Sequence, residues 1–329
     1  MRPPTITDVL HARRVLAAHL PPTPLSSHPA LDAAAGVKLL VKHENTLPTG
    51  AFKVRGGLSL LAGLGREDQA RGVLGYSTGN HAQSLAYASA AHGVACTIVM
   101  PEHPNPAKAR AVRDLGAHLV EYGANFDEAR AHAERLATEH GMRLISAANE
   151  PAILAGVGTA AFEVFERSPS VDVLVVPVGS GSGAAAACIV AAAMAPGCQI
   201  VAVQSSASPA GHDSWRARGC VDRPNRTRVE GLATGSGFEL TQQVMRERLH
   251  DFVLVDDDHI AEAQRMLLHE AHTLAEGAGA AALAAVLADP DRFAGRSVAI
   301  MCTGGNASAT EVTALAGPEP EAVGSRARA

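Results

Sequence analysis

Lysine is scarce in this chain of 329 residues. Of its 28 basic residues only Lys38, Lys42, Lys53 and Lys108 carry an amine, and the rest are arginine. Chemistry that needs a side-chain amine therefore has four candidates. Aromatic residues make up 3% of the chain, too few for a series of base-stacking platforms. Basic residues do not outnumber acidic ones. The net charge is -5, which argues against binding driven by neutralising nucleic-acid phosphates. The five cysteines (Cys96, Cys188, Cys198, Cys220 and Cys302) form no C-x-x-C pair, so neither a thiolate zinc site nor a secreted disulfide framework is indicated. No uncharged apolar run approaches the roughly 18 residues of a membrane span. The opening MRPPTITDVLHARR has no apolar segment behind a basic one, so no secretory leader is expected. These absences predict a reduced cytoplasmic protein with neither nucleic acid nor membrane as partner.

What is present is a large apolar fraction, 47% against 19% charged. That suffices for a sizeable core, and the length suggests roughly two domains. Short apolar runs recur at 38–42, 72–77, 95–100, 118–122, 143–146, 171–178, 199–204, 252–255 and 297–302. Helical stretches separate most of them, such as 126–140 and 258–274. A first helix is capped around Thr7 and Asp8, carries Val9, Ala12, Leu16 and Leu20 on one face, and stops at Pro21 and Pro22. Short buried strands alternating with helices predict βαβ units in a mostly parallel α/β sheet. A closed eight-stranded barrel fits the alternation as well. No low-complexity linker divides the chain, so a second domain is expected as an inserted lobe. Residues 317–329, small, polar and Pro-bearing, are expected to form a disordered tail.

Four segments carry chemistry. In TGAFKVRGG, turn formers precede Phe52 and Lys53, and two glycines follow. An amine at such a junction, partly shielded from water, becomes a nucleophile or base; taken singly, a solvated lysine is the commoner case. STGNHAQ (Ser77, Thr78, Gly79, Asn80, His81 and beyond) follows an apolar run and opens a helix. It reads equally as an anion site or an ordinary N-cap. PVGSGSGA alternates Gly179, Ser180, Gly181, Ser182 and Gly183 at a strand-to-helix turn, an anion nest suited to one phosphate group. It has neither the dinucleotide spacing nor the lysine of a nucleoside-triphosphate loop. CTGGN closes the last apolar run and reads equally as a tight turn or as a site placing Thr303 as a neutral partner for a ring nitrogen. His269 and His272 have no third ligand in view, and the arginines between 216 and 228 read as a solvated loop.

The four segments lie at strand ends, where open parallel sheets bind ligands. A cofactor with a phosphate, an aldehyde, a phenolic oxygen and a ring nitrogen would use all four, and pyridoxal phosphate has these parts. With these motifs in order over residues 5–310, together with AEGAGAAAL and EGLA, the chain resembles the fold-type II pyridoxal-phosphate enzymes, specifically the threonine/serine dehydratase and serine racemase group.

The resemblance implies a two-lobed α/β fold like that of the tryptophan synthase β chain, with mostly parallel twisted sheets and helices on both faces. Its large cofactor-binding domain would comprise 1–71 and 149–316, with a small inserted domain at 72–148. Lys53 would hold pyridoxal phosphate as a Schiff base and then move the α-proton. Phe52 would pack beside the ring and Asn80 would bond the phenolic oxygen. Gly179, Ser180, Gly181, Ser182 and Gly183 would hold the phosphate, Thr303 would face the ring nitrogen, and Gly231 and Glu276 would line the pocket. Ser77, Thr78, Asn80 and His81 would bind the substrate carboxylate. Thr78 is the second catalytic candidate, because racemases place a serine there. The implied reaction is loss of water and then ammonia from a β-hydroxy-α-amino acid such as L-threonine or L-serine, giving a 2-keto acid. The alternatives are phenylserine, 3-hydroxyaspartate or a hydroxyectoine breakdown product as substrate, serine racemisation, or a phosphate-ligand binder without catalysis. A homodimer is usual for the group. Where several members hold a divalent cation with carboxylates, this chain has Gln204, Ser208 and Ala210, so no metal is expected. No regulatory lobe is expected either.

Overall fold

The computed structural model describes residues 1–315, so the expected tail at 317–329 lies outside the described residues. Among the described residues ten strands form two open sheets. In chain order they are β1 (Leu25–Ser26), β2 (Lys38–His43), β3 (Val73–Tyr76), β4 (Cys96–Met100), β5 (His118–Glu121), β6 (Arg143–Leu144), β7 (Val173–Pro177), β8 (Gln199–Ser205), β9 (Asp251–Val255) and β10 (Ser297–Cys302). One sheet has six strands in the order β1-β2-β10-β7-β8-β9, and the other has four in the order β5-β4-β3-β6. All pairings are parallel except β1 with β2. Each sheet ends in free edges, so the barrel alternative does not hold.

All nine apolar runs contain strands. The central ones, such as β7 and β10, read as unbroken apolar runs because parallel strands inside a sheet bury both faces, whereas the edge strands β5 and β6 are only partly covered. Along β7, successive side chains point to opposite sides. Val173 and Val175 join a core built with the Gly277–Ala288 helix, while Leu174 and Val176 join one built with the Ser182–Met194 helix. A third cluster joins the four-stranded sheet to the Lys53–Ala62 helix, through Val54, Leu58 and Leu61 against Leu85 and Ile98. The strand β1 escaped the sequence reading because two residues carry no period.

Two helix boundaries differ from expectation. The first helix spans Ile6–Leu16, and its N-cap is Thr5 rather than Thr7. Asp8 closes a reciprocal capping box with Thr5, and Leu20 lies beyond the helix although it is buried. The expected helix at 258–274 is Asp257–Ala271, ended by His272 at φ 49°.

Candidate active site

Lys53 is the first residue of its helix, and the entry to that helix is tied to the end of β10. Phe52 N–H donates to the Thr303 carbonyl at 3.0 Å, and Gly305 N–H donates to the Gly50 carbonyl at 2.8 Å. On the other side, Ser84 Oγ donates to the Lys53 carbonyl at 2.6 Å. The lysine side chain is thus launched from a turn fixed by two other segments. Its Nζ donates to Ser182 Oγ at 2.8 Å and Ser180 Oγ at 3.1 Å, and lies 3.5 Å from the Ala147 carbonyl oxygen. Burial lowers its pKa to about 8. The neutral amine that a nucleophile or proton carrier needs is then far more accessible near neutrality than in an ordinary lysine.

The Gly/Ser loop after β7 has the predicted nest shape. Gly181 has φ +85°, a left-handed conformation that side chains rarely adopt. It opens the Ser182–Met194 helix, whose first N–H groups lack intrahelical acceptors and suit an anion. Gly179 must be glycine for a different reason, since a Cβ there would lie 2.2 Å from the Gly231 carbonyl oxygen. Two threonines not singled out from sequence hold the loop. Thr241 Oγ1 donates to the Ser180 carbonyl at 2.9 Å, and Thr234 Oγ1 to the Gly179 carbonyl at 3.2 Å. A Cβ on Gly183 would be in contact with the Phe52 ring at 3.4 Å, so the aromatic ring borders the nest.

Asn80 begins the Asn80–His92 helix and donates through Nδ2 to Glu276 Oε1 at 2.6 Å. Glu276 precedes the Gly277–Ala288 helix. Burial, reinforced by Glu311, raises its pKa to about 7, against the Asn80 hydrogen bond and the Lys108 charge. Gly231 is adjacent, since a Cβ on it would sit 3.9 Å from Glu276 Oε1. Ser77 Oγ accepts from Gly79 N–H, and Thr78 is exposed in the same turn. His81 is buried, its Nε2 has no hydrogen-bond partner, and burial together with the Lys53 charge pushes its ring down to about 3. Its imidazole is neutral near pH 7. Thr303 is buried at the end of β10.

The structure therefore gathers the singled-out residues into linked groups: Lys53 with Ser180 and Ser182, Phe52 with Gly183 and Thr303, Gly179 with Gly231, and Asn80 with Glu276. Sequence reasoning missed two further features. Asn306, inside the CTGGN motif, donates to Asn80 Oδ1 at 2.8 Å. Arg55, two residues beyond Lys53, is 1% exposed and paired with both Glu44 and Glu163. A charged residue inside an apolar helix face was the available signal for Arg55.

The other lysines are also placed. Lys38 is exposed, Lys42 is buried against Glu163, and Lys108, on the Pro106–Asp114 helix, pairs with Glu230. At the positions where cation-binding relatives were expected to differ, Gln204 Oε1 accepts from His212 N–H, Gln204 Nε2 donates to Thr234 Oγ1, and Ser208 Oγ donates to the Thr234 carbonyl. Among the described residues no three His, Cys, Asp or Glu side chains gather as a metal site. No helix there is long and apolar enough to cross a membrane.

A deprotonable lysine beside a phosphate-shaped nest defines a class of α/β enzyme that pairs an amine with a phosphorylated aldehyde. Residues 16–304 match the family model described as pyridoxal-phosphate dependent enzyme, and the chain belongs to that family. It is 36% identical over 304 residues to the L-threonine ammonia-lyase of Thermotoga maritima, covering 92% of this chain and 75% of that protein. It is 31% identical to the L-threo-3-hydroxyaspartate ammonia-lyase of Saccharomyces cerevisiae, covering 92% and 93%. Its fold is similar to that of maize serine racemase, with a TM-score of 0.90, 27% identity, and coverage of 95% of this chain and 96% of that one. The expected fold-type II architecture and the pyridoxal-phosphate cofactor hold. The donor set fits the cofactor, with two hydroxyls and a helix N-terminus for the phosphate and a desolvated amine for the aldehyde.

Proposed function

We propose that the chain is a pyridoxal-phosphate-dependent ammonia-lyase that removes water and then ammonia from a β-hydroxy-α-amino acid, with L-threonine and L-serine as the default substrates. The observation that carries this is Lys53, whose amine is held at the Gly/Ser loop by neutral partners only and is shifted to about 8. When bound, the cofactor supplies the electron sink that acidifies the substrate α-hydrogen. Lys53 accepts that proton on Nζ. Ser180, Ser182 and the Ser182–Met194 helix N-terminus hold the phosphate, with Gly179, Gly181 and Gly183 letting the backbone approach. Phe52 packs beside the ring. Asn80 donates to the phenolic oxygen, and Thr303 offers the ring nitrogen a neutral hydroxyl, which favours elimination over transamination. Gly231 and Glu276 line the pocket. Ser77, Thr78 and His81, with Asn80, receive the substrate carboxylate, and the unpartnered Nε2 of buried His81 supports this assignment.

The two separate sheets support a division into a small lobe at 72–148 and a large lobe at 1–71 and 149–316, with the cofactor between them. Five free cysteines support a reducing compartment such as the cytoplasm, and the working assembly is a homodimer. A second substrate reading, L-threo-3-hydroxyaspartate, is favoured by the yeast relative. Racemisation stands behind elimination because Thr78 carries a bulkier secondary hydroxyl than the racemase serine.

The test is keto-acid release by purified, cofactor-loaded protein from L-threonine, L-serine and L-threo-3-hydroxyaspartate, with chiral analysis of the remaining substrate. Release from at least one, with no enantiomer formed, supports the reading. Inversion without keto acid overturns it in favour of racemisation.

A further inference from the structure

Asn80 has an amide whose two ends do opposite things, one accepting and one donating. Its orientation decides whether it can donate to an anionic oxygen of the cofactor. Two neighbours set that orientation. Asn306 Nδ2 lies 2.8 Å from the Thr49 carbonyl oxygen and 2.8 Å from Asn80 Oδ1. A backbone carbonyl only accepts, so the end of Asn306 facing Thr49 must be the NH₂ group. The same NH₂ group faces Asn80, which must answer with its oxygen. The nitrogen of Asn80 then points the other way, where Glu276 Oε1 accepts from it at 2.6 Å. The chain Thr49 to Asn306 to Asn80 to Glu276 thus runs in one direction and is anchored on an obligate acceptor at its start. It leaves one N–H of Asn80 for a third group. The anchor is itself tight, since a Cβ on Gly50, at φ +67°, would lie 2.4 Å from Asn306 Oδ1.

We propose that Asn306 is a positioning residue, which with Glu276 holds the donating end of Asn80 toward the cofactor's phenolic oxygen. The proposal rests on the reading that Asn80 meets that oxygen. It makes an unusual ordering of variants. Asn306→Asp is nearly isosteric but replaces the donor with an acceptor, so Asn80 must turn its own donor toward residue 306 and its oxygen toward the cofactor. Asn306→Ala removes the donor and leaves Glu276 still holding Asn80. The gentler change in shape is therefore the more damaging one.

Cofactor affinity is measured by titrating apo-protein and following the visible absorbance of the lysine–cofactor adduct, together with the pH midpoint of that absorbance. On the scale of one lost hydrogen bond, Asn306→Ala weakens binding roughly tenfold. Opposed buried acceptors make Asn306→Asp roughly a hundredfold weaker, with a displaced pH midpoint. Thermal unfolding of the apo-proteins separates this from misfolding. An Asn306→Asp protein that folds and binds as well as Asn306→Ala, at the wild-type midpoint, overturns the proposal. Should Asn306→Asp not fold, Glu276→Leu, which removes the acceptor, and Asn306→Ala are combined. Losing both anchors together costs more than the product of the single effects, and simple multiplication of the two overturns the proposal. Wild-type protein without an adduct, or an Asn80→Ala variant with an unchanged spectrum, refutes the underlying cofactor reading instead.

Discussion

Arg55→Ala tests whether the buried ion cluster beneath Lys53 holds this part of the fold together. Arg55 Nε and Nη2 reach the two oxygens of Glu44 at 2.6 and 2.9 Å, and Nη1 and Nη2 reach those of Glu163 at 2.6 and 2.9 Å. Thr159 Oγ1 accepts from Nη1 at 3.0 Å, and Lys42 Nζ donates to Glu163 at 2.5 Å. Two cations and two carboxylates therefore cancel in a site where Arg55, Lys42 and Glu44 are each no more than 1% exposed. Truncating Arg55 leaves both carboxylates sharing one lysine. Breaking a buried pair from one side costs about 3–5 kcal/mol. At about 2 °C per kcal/mol for a chain of this size, the expected fall in melting temperature is roughly 6–10 °C.

The pH dependence gives the test a sign. Burial pushes the Glu163 carboxyl up, but hydrogen bonding and charge from Arg55 and Lys42 outweigh it and hold the pKa below the ordinary 4.5. A depressed carboxyl contributes stability above pH 4.5 that is lost as pH falls through its folded value. In Arg55→Ala the burial of Glu163 is no longer outweighed and its carboxyl takes up a proton at higher pH. The gap between wild type and variant is therefore widest at and above neutrality, starts to narrow above 4.5, and narrows further as wild type loses its own share below 4.5. Thermal and urea unfolding of the apo-proteins between pH 3.5 and pH 8 measures it, on scales set by ordinary carboxylate titration. A variant within about 1 kcal/mol of wild type at pH 7, a loss typical of an exposed pair, refutes the reasoning.

Lys53→Ala abolishes both the visible adduct absorbance and turnover, whereas Lys108→Met retains the absorbance; an adduct surviving in Lys53→Ala would move the amine elsewhere. Gly179→Ala forces a Cβ to 2.2 Å from the Gly231 carbonyl, with a strain cost of about 1–3 kcal/mol, seen as weaker cofactor binding in absorbance titrations. Glu276→Gln removes a carboxyl whose folded pKa is about 7 against an ordinary 4.5. A raised carboxyl binds protons preferentially in the folded state, so stability falls as pH rises through that window. The melting temperature of wild type relative to Glu276→Gln therefore increases from pH 7 down to pH 4.5, and a flat difference would contradict the burial of this group.

The strands were legible because each is a contiguous apolar run with turn formers at its end. The nest was legible for the same reason, since alternating glycine and serine need only their immediate neighbours to make an anion loop. What stayed hidden depends on residues distant in sequence. Arg55 meets Glu163 across 108 positions, and Asn306 meets Thr49 across 257. No local period encodes such pairings. The Thr5 cap was missed within a short distance because Thr5, Thr7 and Asp8 are all good cap residues, and only backbone geometry at Thr5, φ -106° and ψ 171°, decides among them.

The fates of the four lysines show why position rather than scarcity makes one of them reactive. Lys38 stands in solvent at the start of β2. Burial acts to lower the pKa of each of the other three. At Lys42 the charges of Glu44 and Glu163 oppose it, and at Lys108 those of Glu276 and Glu311 do. A carboxylate partner keeps an amine protonated and therefore unreactive. Lys53 is bonded to two hydroxyls and lies near one backbone carbonyl, none of them charged, and desolvation is the sole cause of its shift. The fold thus withholds from Lys53 the counter-ion it gives to Lys42 and Lys108. That difference, which the amino-acid types alone do not carry, is what makes the amine at the phosphate nest easier to deprotonate than an ordinary lysine.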